Sequence, residues 1–301
     1  MHKFLRAIGF SGIYSRESMQ TLIEVTIKNS GERLFTTYEG DTLLAEYSTF
    51  FGPGIGLTVC GEMTNDEKFI YEYSFPYFRA DLDSSREMIT VERHAANISF
   101  AGVCDDERVG ITIIFYLQNR IPYVIKKSTN TLPDKGTILS LTGLSLEGTI
   151  VMPLLKKPKE VQKVKDKSGK NVLFSNGFEG VSADREAEAR AASSEAHVMD
   201  DLEMYTRLSK RLKDNDIYSI VDTYFMPYGV ECDQYSVLGE ILKFRLVKNV
   251  LTNEEVYQIL LLCNEIKIAV SINKSDLLGE PQVGRRFKGN IWLQGNIKYP
   301  D

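Results

Sequence analysis

Histidine, tryptophan and cysteine are scarce in this chain. Its 301 residues include three histidines, one tryptophan and four cysteines. Cys60, Cys104, Cys232 and Cys263 stand apart, with no Cys-x-x-Cys or Cys-x-His spacing, which argues against a zinc site or a disulfide framework. Cys104 and Cys232 each precede an aspartate and Cys60 precedes Gly-Glu, settings that favour the protonated thiol. Reduced, buried thiols are the expectation. His94, in VERHAAN, is the one histidine inside an ordered-looking stretch, and no GxSxG-type frame accompanies it. It reads as a surface or capping residue, and no catalytic residue, metal site or cofactor is expected.

Long apolar runs are also missing. None approaches the roughly 20 residues of a membrane-spanning helix, and MHKFLRAIGF lacks the apolar core and small-residue cleavage pattern of a signal peptide. A cytoplasmic protein without membrane contact is expected. Positive charge is not in excess: the net charge is -5 and the pI near 5.5, which argues against a general grip on nucleic acid.

What is present is an ordinary globular balance, 43% hydrophobic and 26% charged, in a chain long enough for two domains. Lys156 to Lys170 hold seven lysines against two acids with no apolar periodicity, the pattern of a solvated connector. An alanine-rich acidic stretch of helical propensity follows. The expected division is an N-terminal unit over 1–155, a flexible basic linker over 156–182 and a C-terminal unit over 183–301.

Before the linker, SRESMQTLIEVTIKNSG places Met19, Leu22, Ile23 and Val25 at helical spacing, with Ser15 as N-cap. The rest alternates as strands: RLFTTYEGDTLLAEYSTFF reads as a hairpin, and FIYEYSFPYF, MITVER, NISFAGV, VGITIIFYLQN and TILSLTGLSLEGTIVMP follow. After the linker, TNEEVYQILLLCN predicts a helix, with Thr252 and Glu255 at capping-box spacing and Val256, Ile259, Leu260 and Cys263 on one face. EIKIAVSIN predicts a strand. Both halves thus read as α+β.

The halves also echo one another. Cys104-Asp105 matches Cys232-Asp233, Gly110 matches Gly239, and Phe115 and Leu117 match Phe244 and Leu246; LEGTIVMP, ending at Pro153, matches LQGNIKYP, ending at Pro300. SFPYF similarly resembles RIPYV. Such order suggests an internal duplication, giving two similar antiparallel-sheet units with packed helices. FGPGIG reads as a turn, because a dinucleotide fingerprint starting at Gly54 needs glycine where Val59 stands, and no Gly-Lys-Ser or Gly-Lys-Thr is present.

DLLGEPQVGRRFKGNIWLQG is the most distinctive stretch. It sets Glu280, Arg285, Arg286 and Lys288 among glycines beside Trp292, and adjacent arginines can present forked donors to an anion with an aromatic ring for stacking. MHKFLRAIGF, GPGIGLTVCGE, YSVLGEI and GRRFKGNIWLQG together resemble an uncharacterised domain-of-unknown-function family from anaerobic Gram-positive bacteria. That resemblance implies a bacterial protein and carries no activity or site residue with it. The expected function is non-enzymatic recognition of an anionic small molecule or a protein partner through these five residues. The alternatives are an enzyme for a phosphorylated or carboxylated substrate, with Glu280 as base and the two arginines as clamps, and a structural homo-oligomer such as a homodimer.

Overall fold

The computed structural model describes residues 2–38, 42–93, 99–133, 135–152, 163–165, 171–173 and 222–300. The chain forms two compact units, Met1–Pro153 with Thr223–Asp301, and Leu154–Asp222. The linker expected over 156–182 and the helical stretch after it fall mostly outside the described residues, as does His94.

The first unit opens with a 3-10 turn, Lys3–Ile8, and helix α1, Arg16–Lys28, in which the Ser15 side chain accepts from the Ser18 amide at 3.0 Å as the sequence predicts. Four strands follow as one antiparallel sheet in chain order: β1 (Glu32–Tyr38), β2 (Thr42–Gly52), β3 (Ile55–Met63) and β4 (Phe69–Phe78). FGPGIG is the turn from β2 to β3. Gly54 takes φ 75 there, and a Cβ would stand 2.4 Å from the Arg79 carbonyl oxygen, so only glycine fits.

The chain then runs through β5 (Ile89–Arg93), β6 (Phe100–Asp106), β7 (Ile111–Leu117), helix α2 (Arg120–Ser128) and β8 (Ile138–Val151). In the second unit, β9 (Lys163–Lys165) and β10 (Asn171–Leu173) pair as an antiparallel ladder. The first unit resumes with β11 (Tyr224–Pro227), β12 (Gln234–Lys248), β13 (Glu255–Cys263), β14 (Ile266–Asn273), β15 (Leu277–Leu278) and β16 (Arg286–Lys298).

Five of these strands close on themselves. β12 pairs with β13, β13 with β14, β14 in parallel with β8, β8 with β16, and β16 returns to β12. The ring is a small barrel, extended on one side through β7, β6 and β5. One core fills it, with Val237, Ile259, Leu261, Val270 and Leu293 turned inward. A second core, including Phe4, Ile8, Leu22, Leu57, Phe75 and Trp292, lies where residues of the four-stranded sheet, the 3-10 turn and α1 pack with residues of the barrel strands.

The fold class therefore differs from the α+β expectation: strands dominate, with two α-helices among the described residues, and in the first unit they make one small sheet and one large closed sheet. TNEEVYQILLLCN is the clearest departure. It is not a helix but β13, and both its faces are buried: Tyr257, Ile259 and Leu261 join the barrel core, while Val256 and Leu260 join the other. A strand buried on both faces is a continuous apolar run, which periodicity cannot separate from a helix. Thr252 does not cap a helix either; its hydroxyl donates to the Gly9 carbonyl at 2.6 Å.

The described residues do not support an internal duplication. Gly110 lies in the turn between β6 and β7 at φ 71, whereas its supposed counterpart Gly239 lies inside β12, where a Cβ would stand 2.7 Å from Cys263 Sγ. LEGTIV and LQGNIK belong to β8 and β16, adjacent antiparallel strands of one ring, so their likeness comes from a shared wall. SFPYF is in β4, but RIPYV is in α2.

Because β13 buries both faces, Leu261→Ala should cost about 2–5 kcal/mol by urea denaturation, as large-to-small core changes do. The helical reading puts Leu261 off the apolar face and expects a much smaller loss. The measured value separates the two.

Candidate functional site

The loop nominated by sequence lies at one end of the barrel. After β14, a 3-10 turn (Lys274–Asp276) leads into β15, which pairs with Gly148 and Thr149 of β8, and the chain then crosses to β12, where the Gly284 amide donates to Ile241 and Arg285 accepts from it at 2.9 and 2.8 Å. Glu280 is exposed on this crossing, and Arg285 Nη1 reaches its carbonyl at 3.4 Å.

The other nominated residues go elsewhere. Arg286 is buried and donates through Nε and Nη2 to the Met152 carbonyl at 3.1 and 2.9 Å, tying the start of β16 to the end of β8. Lys288 is half-buried on β16, opposite Thr149 and Leu238. Trp292 is buried in the second core. Its Nε1 donates to Asp233 Oδ2 at 2.7 Å, and its ring lies against Phe4, His2 and Tyr116 at centroid separations of 5.4, 4.5 and 5.1 Å. Alternation along β16 explains the separation: Phe287 points into the barrel, so Arg286 cannot share the direction of its neighbours. Trp292 follows the same alternation, between Ile291 and Leu293 of the barrel core, and faces the second core six residues further along β16; the extra residue of the register shift near Gly289 lies on β8.

Beside the crossing, sequence reasoning missed a feature. β12 runs past the barrel rim, and Phe244 and Leu246 stand opposite Ile259 and Tyr257 on the face that fills the barrel, yet they are 41% and 42% exposed. Leu278 and Val283, on the crossing itself, are exposed as well. Lys243 and Arg245 alternate with this pair and are exposed; Arg245 Nε donates to Gln258 Oε1 at 2.7 Å. KFRLVK shows that alternation of cations and apolar residues, and it could have been read as a half-covered strand.

Buried ionisable groups gather elsewhere. Arg120, at the start of α2, donates through Nε to Glu46 Oε1 at 2.7 Å and through Nη1 to Tyr73 Oη at 2.9 Å. Cys60 Sγ lies 3.9 Å from the same carboxylate oxygen. Glu46, Cys60 and Tyr73 come from β2, β3 and β4 on one face of the small sheet, so the arginine fastens that sheet to α2. Burial pushes Glu46 upward while the Arg120 guanidinium opposes it, and burial also drives the Cys60 thiol and the Tyr73 hydroxyl upward. A thiol held protonated in this way is a poor nucleophile. Burial likewise raises Cys263 to about 12. Asp106, hydrogen-bonded by Arg108 and Ser85, falls to about 2 and serves as a local tie. Among the described residues no group of three or more His, Cys, Asp or Glu side chains could hold a metal ion, and no helix is long and apolar enough to cross a membrane.

A family model described as a domain of unknown function from an E. rectale gene (DUF3881) matches residues 5–295. The chain belongs to this family. E. rectale is an anaerobic Gram-positive bacterium, in keeping with the resemblance read from the sequence. No curated protein and no solved structure matches. The DUF3881 match spans both the barrel and the small sheet, so the ring, its open end and the Glu46–Arg120 fastening all lie within the family's extent.

Two measurements probe these groups in the DUF3881 chain. Arg120→Met strands a buried carboxylate and should cost about 3–5 kcal/mol in urea unfolding, whereas the double change Glu46→Leu with Arg120→Met should recover much of that loss. Burial depresses His2 from 6.5 to about 4. The unfolded chain therefore takes up this proton first, and stability present above pH 6.5 is lost as the pH falls toward 4, by about 3 kcal/mol at most. His2→Phe should flatten that part of the profile, followed by fluorescence of the neighbouring Trp292.

Proposed function

We propose that this protein is a non-enzymatic interaction protein of the bacterial cytoplasm that binds a partner protein at the open end of its barrel. The observation that carries the reading is the exposure of Phe244 and Leu246 on a face whose other members are core residues. Apolar surface of core type left in water favours a partner that covers it. Lys243 and Arg245 on the other face of the same strand, with Arg285 on the crossing, favour an acidic partner and would steer its approach. Glu280, Arg285 and Lys288 belong to the rim of this reading, and Arg286 and Trp292 to its walls. The unpaired cysteines are in keeping with a reducing compartment.

The enzymatic alternative has less support. It needs Arg285 and Arg286 to act as a joint clamp beside Glu280, and Arg286 is turned into the wall and donates to Met152.

The test immobilises the full-length protein and a Phe244→Asp/Leu246→Asp variant and exposes both to lysate of a bacterium carrying the family. Circular dichroism checks that the variant is folded. A protein retained by the wild type and lost with the variant is the expected result. Equal retention by both, or none by either, overturns the proposal.

A further inference from the structure

The same end of the barrel has a second property, in its backbone. β16 pairs with β12 only from Gln234 to Glu240, and the crossing chain takes the next position, Ile241. From Lys243 to Val247, β12 has β13 along one side, and no strand pairs with its other side among the described residues; the turn from β2 to β3 closes in beyond it, where Gly52 lies against the Lys248 carbonyl and the Val250 amide donates to Phe51 at 2.7 Å. A strand edge of this kind presents a row of amide and carbonyl groups able to bond an incoming chain.

The side chains along the edge select what that chain can be. Phe244 and Leu246 offer apolar surface toward the barrel end, while Lys243 and Arg245 point to the opposite face. An incoming strand has the same two-residue period, so apolar and acidic residues in alternation would meet both faces at once. We infer that the β12 edge accepts an extended acidic segment of a partner protein, alternating with apolar residues, as an added antiparallel or parallel strand. This rests on the reading of the barrel end as a partner-binding surface, and it specifies how the partner is held.

A second copy of the chain fits the edge poorly. Residues 241–248 contain Lys243, Arg245 and Lys248 and no acid, so two copies side by side would bring six cations into one ladder. Like charges across a strand pair are destabilising. Only Lys248 has a carboxylate near it, Glu255 at 4.0 Å, among the described residues.

The experiment uses the full-length protein and a fluorescein-labelled peptide of alternating valine and glutamate, followed by anisotropy at low salt. Three peptides are compared: this one, the same with lysine for glutamate, and the acidic one N-methylated at every residue, which has no amide hydrogen left on either edge to bond a strand. Saturable binding is expected for the first alone, weaker by about tenfold or more for the other two, the scale of lost charge-assisted and backbone bonds. Hydrogen exchange should show new protection over 243–247. Leu246→Asp and Arg245→Glu should weaken binding to a similar degree. No saturable binding, or equal binding of the N-methylated peptide, overturns strand addition; if the lysate protein is still lost with the Phe244→Asp/Leu246→Asp variant, the interaction reading survives that failure. A dimer by sedimentation that the same variant dissociates also overturns the inference, since the edge then serves a second copy.

Discussion

A sheet can close only where one strand finds partners on both of its edges, and here that strand is β16. It pairs with β8 from Arg286 to Lys298 and with β12 from Arg286 to Trp292. The β8 strand precedes the second unit in the chain and β12 to β16 follow it, so neither part can complete the ring alone. Closure removes the exposed edges that an open sheet of these strands would carry. It also gives β13 two buried faces, one toward the barrel core and one toward the second core, as Tyr257 and Val256 illustrate.

The open end follows from the same geometry. β12 is longer than the part of β16 that meets it, so Lys243 to Val247 leave the ring with the alternation of a wall strand and, among the described residues, no paired strand on one side. Phe244 and Leu246 are exposed because of where β16 turns away, not because of their own chemistry. Strong interior packing and an incompletely covered edge are thus two outcomes of one pairing pattern.

The buried charges fit a fastening role. The Glu46–Arg120 pair is fully enclosed, and such a pair repays its desolvation only when its bonds are well made. Here the guanidinium also donates to Tyr73, so one side chain holds residues from two strands of the small sheet. The energetic weight of the pair lies in what its loss would leave behind, a carboxylate enclosed without a cation.

Local pattern alone determined several parts of this protein. α1 and its Ser15 cap, the hairpin of β1 and β2, the turn at Gly54 and the alternating strands β4 to β8 are legible because each depends on neighbours in sequence: a side chain near its own amides, a left-handed glycine, a half-buried period of two. The closed ring, the strand character of β13 and the separation of Arg285 from Arg286 and Trp292 were decided only in three dimensions. They depend on which distant strand supplies the second buried face. A run such as VYQILLLC is equally apolar in a helix or in a strand covered on both sides, and only the partners that surround it tell the two apart.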